Sequence, residues 1–171
     1  MPRRICISVL VFLSAYVLVH ALPAALVSRV FCTVPAVFAA VTFGAFRDGT
    51  ILHLIDGRTV IVAPSCSGID FFSLCVAFGI YTLWPMLSTS SKFRGDPSRC
   101  LLFACCFLFF VYCFTLVVNS LRLVVTVWIG SFDFGSWAGA FHCAGGVFVF
   151  FPALLFLERA GVLFSRRMAQ K

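Results

Sequence analysis

The chain has 171 residues, of which 62% are hydrophobic and 11% charged, and its mean hydropathy is +1.09. A soluble globular domain has about 45–50% apolar and about 25% charged residues, so this composition excludes one. It also excludes a disordered chain, because disorder requires low hydrophobicity and high charge. The composition predicts an all-α polytopic membrane protein in the lipid bilayer, a single integral-membrane domain over residues 1–171.

Four apolar runs are about one bilayer core long or longer and are the predicted membrane spans. The first follows Pro2-Arg3-Arg4 and resembles a signal peptide, but it is long for one and the rest of the chain is equally apolar, so we expect an uncleaved span. The four runs are 5–22, 68–87, 100–129 and 142–164.

The segment between the first two runs is more polar. Residues 23–46 are interrupted by Pro23, Arg29 and Pro35. Within them, residues 30–46 fit either a fifth span or a helix lying in or dipping into the interface. Within 50–62, two β-prone stretches flank Asp56-Gly57, which predicts a β-hairpin with a two-residue type I′ turn. Because strand edges cannot be exposed to lipid, the hairpin should lie outside the hydrocarbon, on the outer side.

The net charge of +7, from 13 basic and 6 acidic residues, indicates orientation. No basic stripe with interleaved aromatic residues is present, so no nucleic-acid partner is expected. With four spans, nine of the 13 basic residues share the side that holds both termini and the 88–99 loop, which predicts that this side of the plasma (inner) membrane is cytoplasmic. They are Arg3, Arg4, Lys92, Arg94, Arg99, Arg159, Arg166, Arg167 and Lys171.

The nine cysteines include no Cys-x-x-Cys pair. Their spacing predicts neither a disulfide framework nor a metal site, and no cofactor is expected. Buried cysteine behaves as a small hydrophobic residue, so most of the nine are interpreted as membrane-packing residues.

Three polar residues on separate predicted helices are expected to lie at the same depth in the membrane. Cys66 and His142 each stand at the outer beginning of a span. Arg122 stands about 21 residues, or about 31 Å, into a helix that enters from the cytoplasm, which is close to the ~30 Å thickness of the hydrocarbon core. An ionisable group in a span is costly and indicates a functional site, so Cys66, Arg122 and His142 are the predicted catalytic residues.

These residue types suit acyl transfer through a thiol. The polar turn 64–68 brings Cys66 to a helix N-terminus, which favours the nucleophilic thiolate. A thiolate attacks a carbonyl to give an acyl-enzyme, histidine serves as general base and acid, and arginine stabilises the anionic centre. Asn119 shares a helix face with Arg122. Asn119, Ser67 and Asp70 are the candidate supporting residues.

Three motifs occur in order: Ala63-Pro64-Ser65-Cys66-Ser67-Gly68-Ile69, Asn119-Ser120-Leu121-Arg122-Leu123, and His142 followed by Ala144-Gly145-Gly146-Val147. With them the sequence resembles the exosortase/archaeosortase family of membrane transpeptidases, from about residue 45 to 157. The short length and the His-x-x-x-Gly pattern most resemble the compact class called exosortase K.

The resemblance implies that Cys66 is the nucleophile of a cysteine transpeptidase, with Arg122 and His142 as its partners. It implies exported protein substrates with a C-terminal sorting signal: a short motif such as Pro-Glu-Pro, a transmembrane helix and a basic tail. The enzyme would cut at the motif on the outer face and pass the acyl group to an acceptor. Asp70 stands where the compact class is expected to have a neutral Asn, and its carboxylate could pair with Arg122.

Two alternatives remain open from the residues. A membrane thiol oxidoreductase would need a second cysteine near Cys66; Cys75 lies about two and a half turns deeper, which leaves Cys143. A non-catalytic scaffold or transporter subunit would leave Cys66, Arg122 and His142 unconnected.

Overall fold

The computed structural model describes residues 2–62, 66–89, 97–130 and 138–169, with side chains described at 4–62, 66–84, 98–130 and 144–164. Most of the predicted 88–99 and 130–141 loops, and residues 63–65, therefore lie outside the described residues. Six α-helices, one π-helical turn and three short strands make up the described chain, which confirms the predicted helical fold class. In order they are α1 Pro2–His20, α2 Ala24–Val27, the π turn Ser28–Cys32, α3 Thr33–Phe43, β1 Phe46–Asp48, β2 Ile51–His53, β3 Thr59–Ile61, α4 Ile69–Thr89, α5 Pro97–Ile129 and α6 Ala138–Ala169.

Each predicted span coincides with a helix: α1, α4, α5 and α6. Among the described residues, three helical segments are long and apolar enough to cross a membrane, namely Ala24–Phe43, Ser98–Ile129 and Ala144–Phe164. Arg4–His20 and Ile69–Trp84 are shorter apolar helices. The chain is thus a multi-pass membrane protein.

The helical segment 24–43 is longer than the predicted 30–46 piece suggested, because it starts earlier. Pro23 directly precedes α2, at a position where its missing N–H costs nothing. Pro35 is the third residue of α3, but α3 continues directly from the π turn, so Pro35 lies inside the helical segment 24–43, where its ring and missing N–H would break an uninterrupted α-helix. The π turn Ser28–Cys32 widens the helix just before that point, so the helix continues through the proline.

The predicted hairpin is present as β2 and β3, but a further strand makes it a three-stranded antiparallel sheet in the order β1-β2-β3. The sequence prediction missed β1 because its first residue, Phe46, was assigned to the apolar run 30–46, and only two further residues belong to the strand. Its register, from Phe46 opposite His53 to Asp48 opposite Ile51, leaves Gly49 and Thr50 as a two-residue turn.

The predicted type I′ turn at Asp56-Gly57 is wrong. Leu54 donates its N–H to the Arg58 carbonyl and Gly57 donates to the Leu54 carbonyl, so the loop has three residues, 55–57. Only the glycine has positive φ, +85°, whereas a type I′ turn requires it at both central residues. A type I turn followed by a left-handed glycine fits both bonds.

The chain divides into two compact units. The first, here called the four-helix unit, comprises Met1–His20, Asp70–Phe114 and Leu154–Lys171. The second, here called the site unit, comprises Ala21–Ile69 and Thr115–Ala153 and holds the sheet. Its buried hydrophobic cluster joins α3, the sheet and α5 and consists of Cys32, Ala36, Ala39, Ala40, Leu52, Leu54, Val62, Leu123 and Val127.

In the four-helix unit, the points at which the chain leaves the unit and returns to it lie close together. His20, the last residue of α1, has its ring 3.3 Å from the Asp70 carboxylate in the first turn of α4. The Phe114 ring lies 6.3 Å from that of Phe71 and 6.2 Å from that of Phe156, centroid to centroid. The chain therefore leaves this unit after residues 20 and 114, and returns at residues 70 and 154, at neighbouring points.

In the site unit, Arg58 holds the β2–β3 loop. Its guanidinium donates to the Asp56 carboxylate at 2.7 Å and to the Gly130 carbonyl, at the end of α5, at 2.6 Å. The hydrogen bond from Arg58 lowers the pKa of Asp56 from its ordinary 3.8. A carboxyl whose pKa is lowered in the folded state stabilises the fold at pH values above its ordinary pKa. This contribution is lost as the pH falls through the lowered pKa.

At neutral pH, replacing Asp56 with a neutral residue should therefore have the same effect on the loop as protonating its carboxylate. We expect Asp56→Asn to raise hydrogen–deuterium exchange over residues 51–61 by only about twofold, since exposed ion pairs contribute little. Arg58→Ala should raise it further, because it also removes the bond to Gly130. Arg47→Ala is the control, since that guanidinium reaches only over its own turn, to the Gly49 carbonyl. Unchanged exchange in Arg58→Ala would contradict the anchoring role.

Candidate functional site

Cys66 lies in the short segment between the sheet and α4 and is half-buried against the site unit's hydrophobic cluster. The next residue, Ser67, accepts a hydrogen bond from the Ile69 N–H at 3.3 Å and so closes the turn into α4. Gly68 between them has a φ of +73°, a left-handed conformation that favours glycine. This turn sets where the Cys66 backbone lies at the start of the helix.

Asn119 on α5 joins that turn. The side-chain nitrogen of Asn119 donates to the Cys66 carbonyl at 2.8 Å, and Asn119 is only 1% exposed. A Cβ built on Gly68 would lie 2.9 Å from the Asn119 Cγ, closer than real Cβ atoms come. Only a residue without a side chain lets the turn approach α5 this closely, so Gly68 is required both for its φ and for this contact.

Arg122 follows Asn119 by one helical turn. Its Nη1 donates to the Asn119 side-chain oxygen at 3.4 Å, a long hydrogen bond. The guanidinium carbon lies 5.2 Å from the centre of the Phe150 ring on α6, within cation–π range. A Cβ on Gly146, also on α6, would lie 3.5 Å from the Arg122 Nε. The guanidinium is therefore held between the Asn119 amide and one side of α6.

One amide thus connects two of the predicted catalytic residues. Its nitrogen is bonded to the backbone of Cys66 and its oxygen to the side chain of Arg122. A buried amide that lacked either partner would carry an unsatisfied polar group, at a cost of about 1–3 kcal/mol. The structure therefore brings together Cys66, Ser67, Asn119 and Arg122 from the predicted set.

His142, the third predicted catalytic residue, belongs to α6, but its side chain lies outside the described residues. In the helix it precedes Gly146 by four residues and Phe150 by eight. Residues four apart lie on the same helix face. Its catalytic role stays a prediction.

Asp70, a candidate supporting residue, lies in the first turn of α4. Its carboxylate lies 3.3 Å from Nε2 of His20, whose other ring nitrogen faces the Tyr16 carbonyl at 2.9 Å. A role for Asp70 at the Cys66 site stays a prediction.

Sequence reasoning did not pick out three residues around the site. Phe150 is one of 22 phenylalanines, and nothing in its local sequence distinguishes it. Cys32 is fully buried in the cluster against which Cys66 packs, although 34 residues separate them along the chain. Gly68 had a usable signal, since a glycine between a polar turn and a helix indicates a left-handed residue.

An apolar cavity of about 410 Å³ belongs to the four-helix unit and lies between α4, α5 and α6. None of the residues lining it is a predicted site residue. Among the described residues, no three His, Cys, Asp or Glu side chains are grouped so that they could hold a metal ion.

A sequence model of the family described as transmembrane exosortase matches residues 3–158. The chain belongs to the transmembrane exosortase family. The predicted family is confirmed, and with it a membrane transpeptidase role in general. The narrower assignment to the compact class stays a prediction. No curated protein and no solved structure matches the chain closely enough to count as similar.

The contact between Gly68 and Asn119 in this exosortase can be tested with two alanine substitutions. Gly57→Ala places a side chain at positive φ in open space, at a cost of about 1–2 kcal/mol. Gly68→Ala meets the same strain and also displaces Asn119. We expect the rate of Cys66 alkylation by a small iodoacetamide probe in membranes to change at least severalfold in Gly68→Ala and little in Gly57→Ala. Equal rates in the two variants would contradict the proposed contact.

Proposed function

We propose that this exosortase cleaves exported proteins at a C-terminal sorting signal on the outer face of the plasma membrane, with Cys66 as nucleophile, and transfers the acyl group to an acceptor. The observation that carries the proposal is the link from the Cys66 carbonyl through the Asn119 amide to the Arg122 guanidinium. It joins two motifs of the family that lie 56 residues apart in the sequence.

In the proposed first step, His142 takes the proton of the Cys66 thiol, and the sulfur attacks the carbonyl carbon of the scissile peptide bond. When the C–N bond breaks, the electron pair leaves with the nitrogen, which takes the proton back from His142. The acyl group is then held as a thioester on Cys66. An acceptor nucleophile gives a proton to His142 and attacks the thioester; the C–S bond breaks, and the released Cys66 thiolate takes that proton from His142.

Arg122 is proposed to stabilise the negative charge that develops in both steps. Guanidinium remains charged at every relevant pH and presents several N–H donors in a fixed plane. The contacts with Asn119 and Phe150 limit its rotation, so little reorganisation is needed when charge develops. Asn119 is a positioning residue, since it acts through Cys66 and Arg122.

The proposed role of His142 is supported by its register on α6. Gly146 and Phe150, which both lie against Arg122, follow it at four and eight residues. The three therefore share one row of the helix. This shared register supports assigning His142 to the same proposed site as Arg122.

The chain path supports the proposed orientation. The chain leaves the four-helix unit at residue 20 and returns at residue 70 beside it, which favours a path for 21–69 that makes no net crossing of the membrane. This favours four spans, with 24–43 as a helix that begins and ends on one side. Both termini and the α4–α5 connection then lie at the opposite side.

The distribution of the basic residues also supports the proposed orientation. The four-helix unit contains nine of them, and the site unit contains the other four, Arg29, Arg47, Arg58 and Arg122. Under the positive-inside rule, the side proposed to hold both termini is the cytoplasmic one, and Cys66 is proposed to face outward.

The nucleophile is tested by expressing the full chain with an exported reporter whose C-terminal tail carries a short motif, a transmembrane helix and a basic end. We expect Cys66→Ala and His142→Ala to reduce reporter processing to background, measured as the cleaved fraction on immunoblots at equal membrane levels of enzyme.

Cys32→Ala is the matched control for Cys66→Ala, and it also tests the thiol oxidoreductase alternative. Cys32 belongs to the buried cluster against which Cys66 packs, so it is the disulfide partner that this variant tests. A transpeptidase needs only one thiol, so Cys32→Ala should keep processing. Loss of activity in Cys32→Ala and Cys66→Ala alike, with a disulfide recovered from wild type, would favour the redox function instead.

Arg122→Lys tests whether charge alone is sufficient. Lysine keeps the positive charge but loses the planar donors and the ring contact, so we expect the initial processing rate to fall by about 100-fold, as for the loss of one transition-state donor. Arg159→Lys, at an exposed position on α6, is the control and should process at the wild-type rate. Wild-type processing by Arg122→Lys would exclude the guanidinium role.

A further inference from the structure

β3 is an edge strand of the sheet and comes shortly before Cys66 in the chain. Its partner on one side is β2, from Ile51 opposite Ile61 to His53 opposite Thr59. The other side has no strand among the described residues. Cys66 follows Ile61 by five residues, a distance of at most about 18 Å even if they were fully extended.

The hydrogen-bond register determines which backbone groups of β3 are available. Val62 donates to the Thr50 carbonyl and Leu54 donates to the Arg58 carbonyl, so the even-numbered residues of this segment turn their backbone toward β2. Alternate residues of an antiparallel strand turn the opposite way. Thr59 and Ile61 therefore direct an N–H and a C=O away from β2, and both residues are exposed, Ile61 by 65%.

The position of β3 is fixed by contacts of the sheet with the rest of the site unit. Leu52 and Val62 are buried in the cluster of the site unit. Arg58, directly before β3, is bonded to the end of α5. The edge is thus a fixed template of outward donors and acceptors rather than a loose loop.

We propose that the outward edge of β3 binds the substrate segment next to the scissile bond as an added antiparallel or parallel strand. This inference rests on the proposed function and names how that substrate is bound. Only an extended polypeptide backbone offers N–H and C=O groups at the spacing that a strand edge requires, so the partner is a peptide segment. Backbone recognition also tolerates varied side chains around a short motif.

The opposite edge, β1, is less suitable for this role. It lies two strands from β3, about 10 Å away, and is followed by two further strands before the chain reaches Cys66. Arg47 on β1 lies opposite Leu52 in a pair that exchanges no backbone hydrogen bonds, between the hydrogen-bonded pairs on either side. Its N–H therefore points away from β2, as that of Ile61 does. It supplies a matched control.

The experiment removes one outward N–H from each edge. Proline is tolerated where an edge-strand N–H points away from the sheet. We expect Ile61→Pro to slow processing of the tailed reporter about fivefold, the effect of about one lost hydrogen bond. Alkylation of Cys66 by iodoacetamide should keep its wild-type rate. Ile61→Ala, which keeps the N–H, should lose less, and Arg47→Pro should process normally. Wild-type processing by Ile61→Pro would overturn the proposal.

A second measurement does not depend on catalysis or on the stability of the proline variant. Thr59→Cys is combined with Cys66→Ala, and single cysteines are moved along the reporter segment before its transmembrane helix. Strand pairing predicts disulfide cross-links at every second reporter position, because side chains alternate between the two faces of a strand. Cross-links without this period, or none, would overturn the proposal.

The two measurements separate the binding mode from the proposed function. If wild-type enzyme leaves the reporter uncut but the cross-links show the two-residue period, the transpeptidase function fails and the β3 assignment stands. If Thr59→Cys instead cross-links to itself in a second copy of the chain with or without reporter, the edge pairs enzyme with enzyme and the peptide assignment is overturned.

Discussion

In a chain that is 62% hydrophobic, a buried amide is stable only when both of its ends are paired, and Asn119 meets that condition through Cys66 and Arg122. Its nitrogen fixes the backbone of the turn before α4, and its oxygen limits the guanidinium one turn further along α5. The absence of a side chain at Gly68 makes the first contact sterically permissible. The proposed catalytic geometry depends on this one side chain more than on any other.

Helix length is a second constraint. The 33 residues of α5 and the 32 of α6 correspond to about 50 and 48 Å at 1.5 Å per residue, whereas the hydrocarbon core is about 30 Å thick. By contrast, α1 and α4 have 19 and 21 residues, enough for one crossing. The additional turns of α5 and α6 belong to the site unit, together with the sheet. Long helices thus supply both the membrane span and the residues of the site.

The sheet adds a polar framework to a site that the helices alone would leave incomplete. Its inner residues join the same buried cluster as α3 and α5, and Arg58 joins its loop to the end of α5. Cys66 follows the last strand and precedes α4, so its position is controlled from both directions. In the proposed reaction, an extended substrate would reach Cys66 at this junction without interrupting either element.

Sequence by itself determined the class of protein and the four apolar helices, and it singled out Cys66, Asn119 and Arg122 as candidate residues, because membrane burial restricts composition and makes each polar residue in a span conspicuous. It missed β1 and the turn type at Asp56-Gly57, since three-residue strands and loop hydrogen bonds leave little periodicity to read. Only the tertiary structure decided that Asn119 bonds to Cys66, that Phe150 contacts Arg122 and that the ends of 21–69 adjoin. These facts depend on contacts between residues far apart in the chain, and spacing along the sequence does not encode such distances.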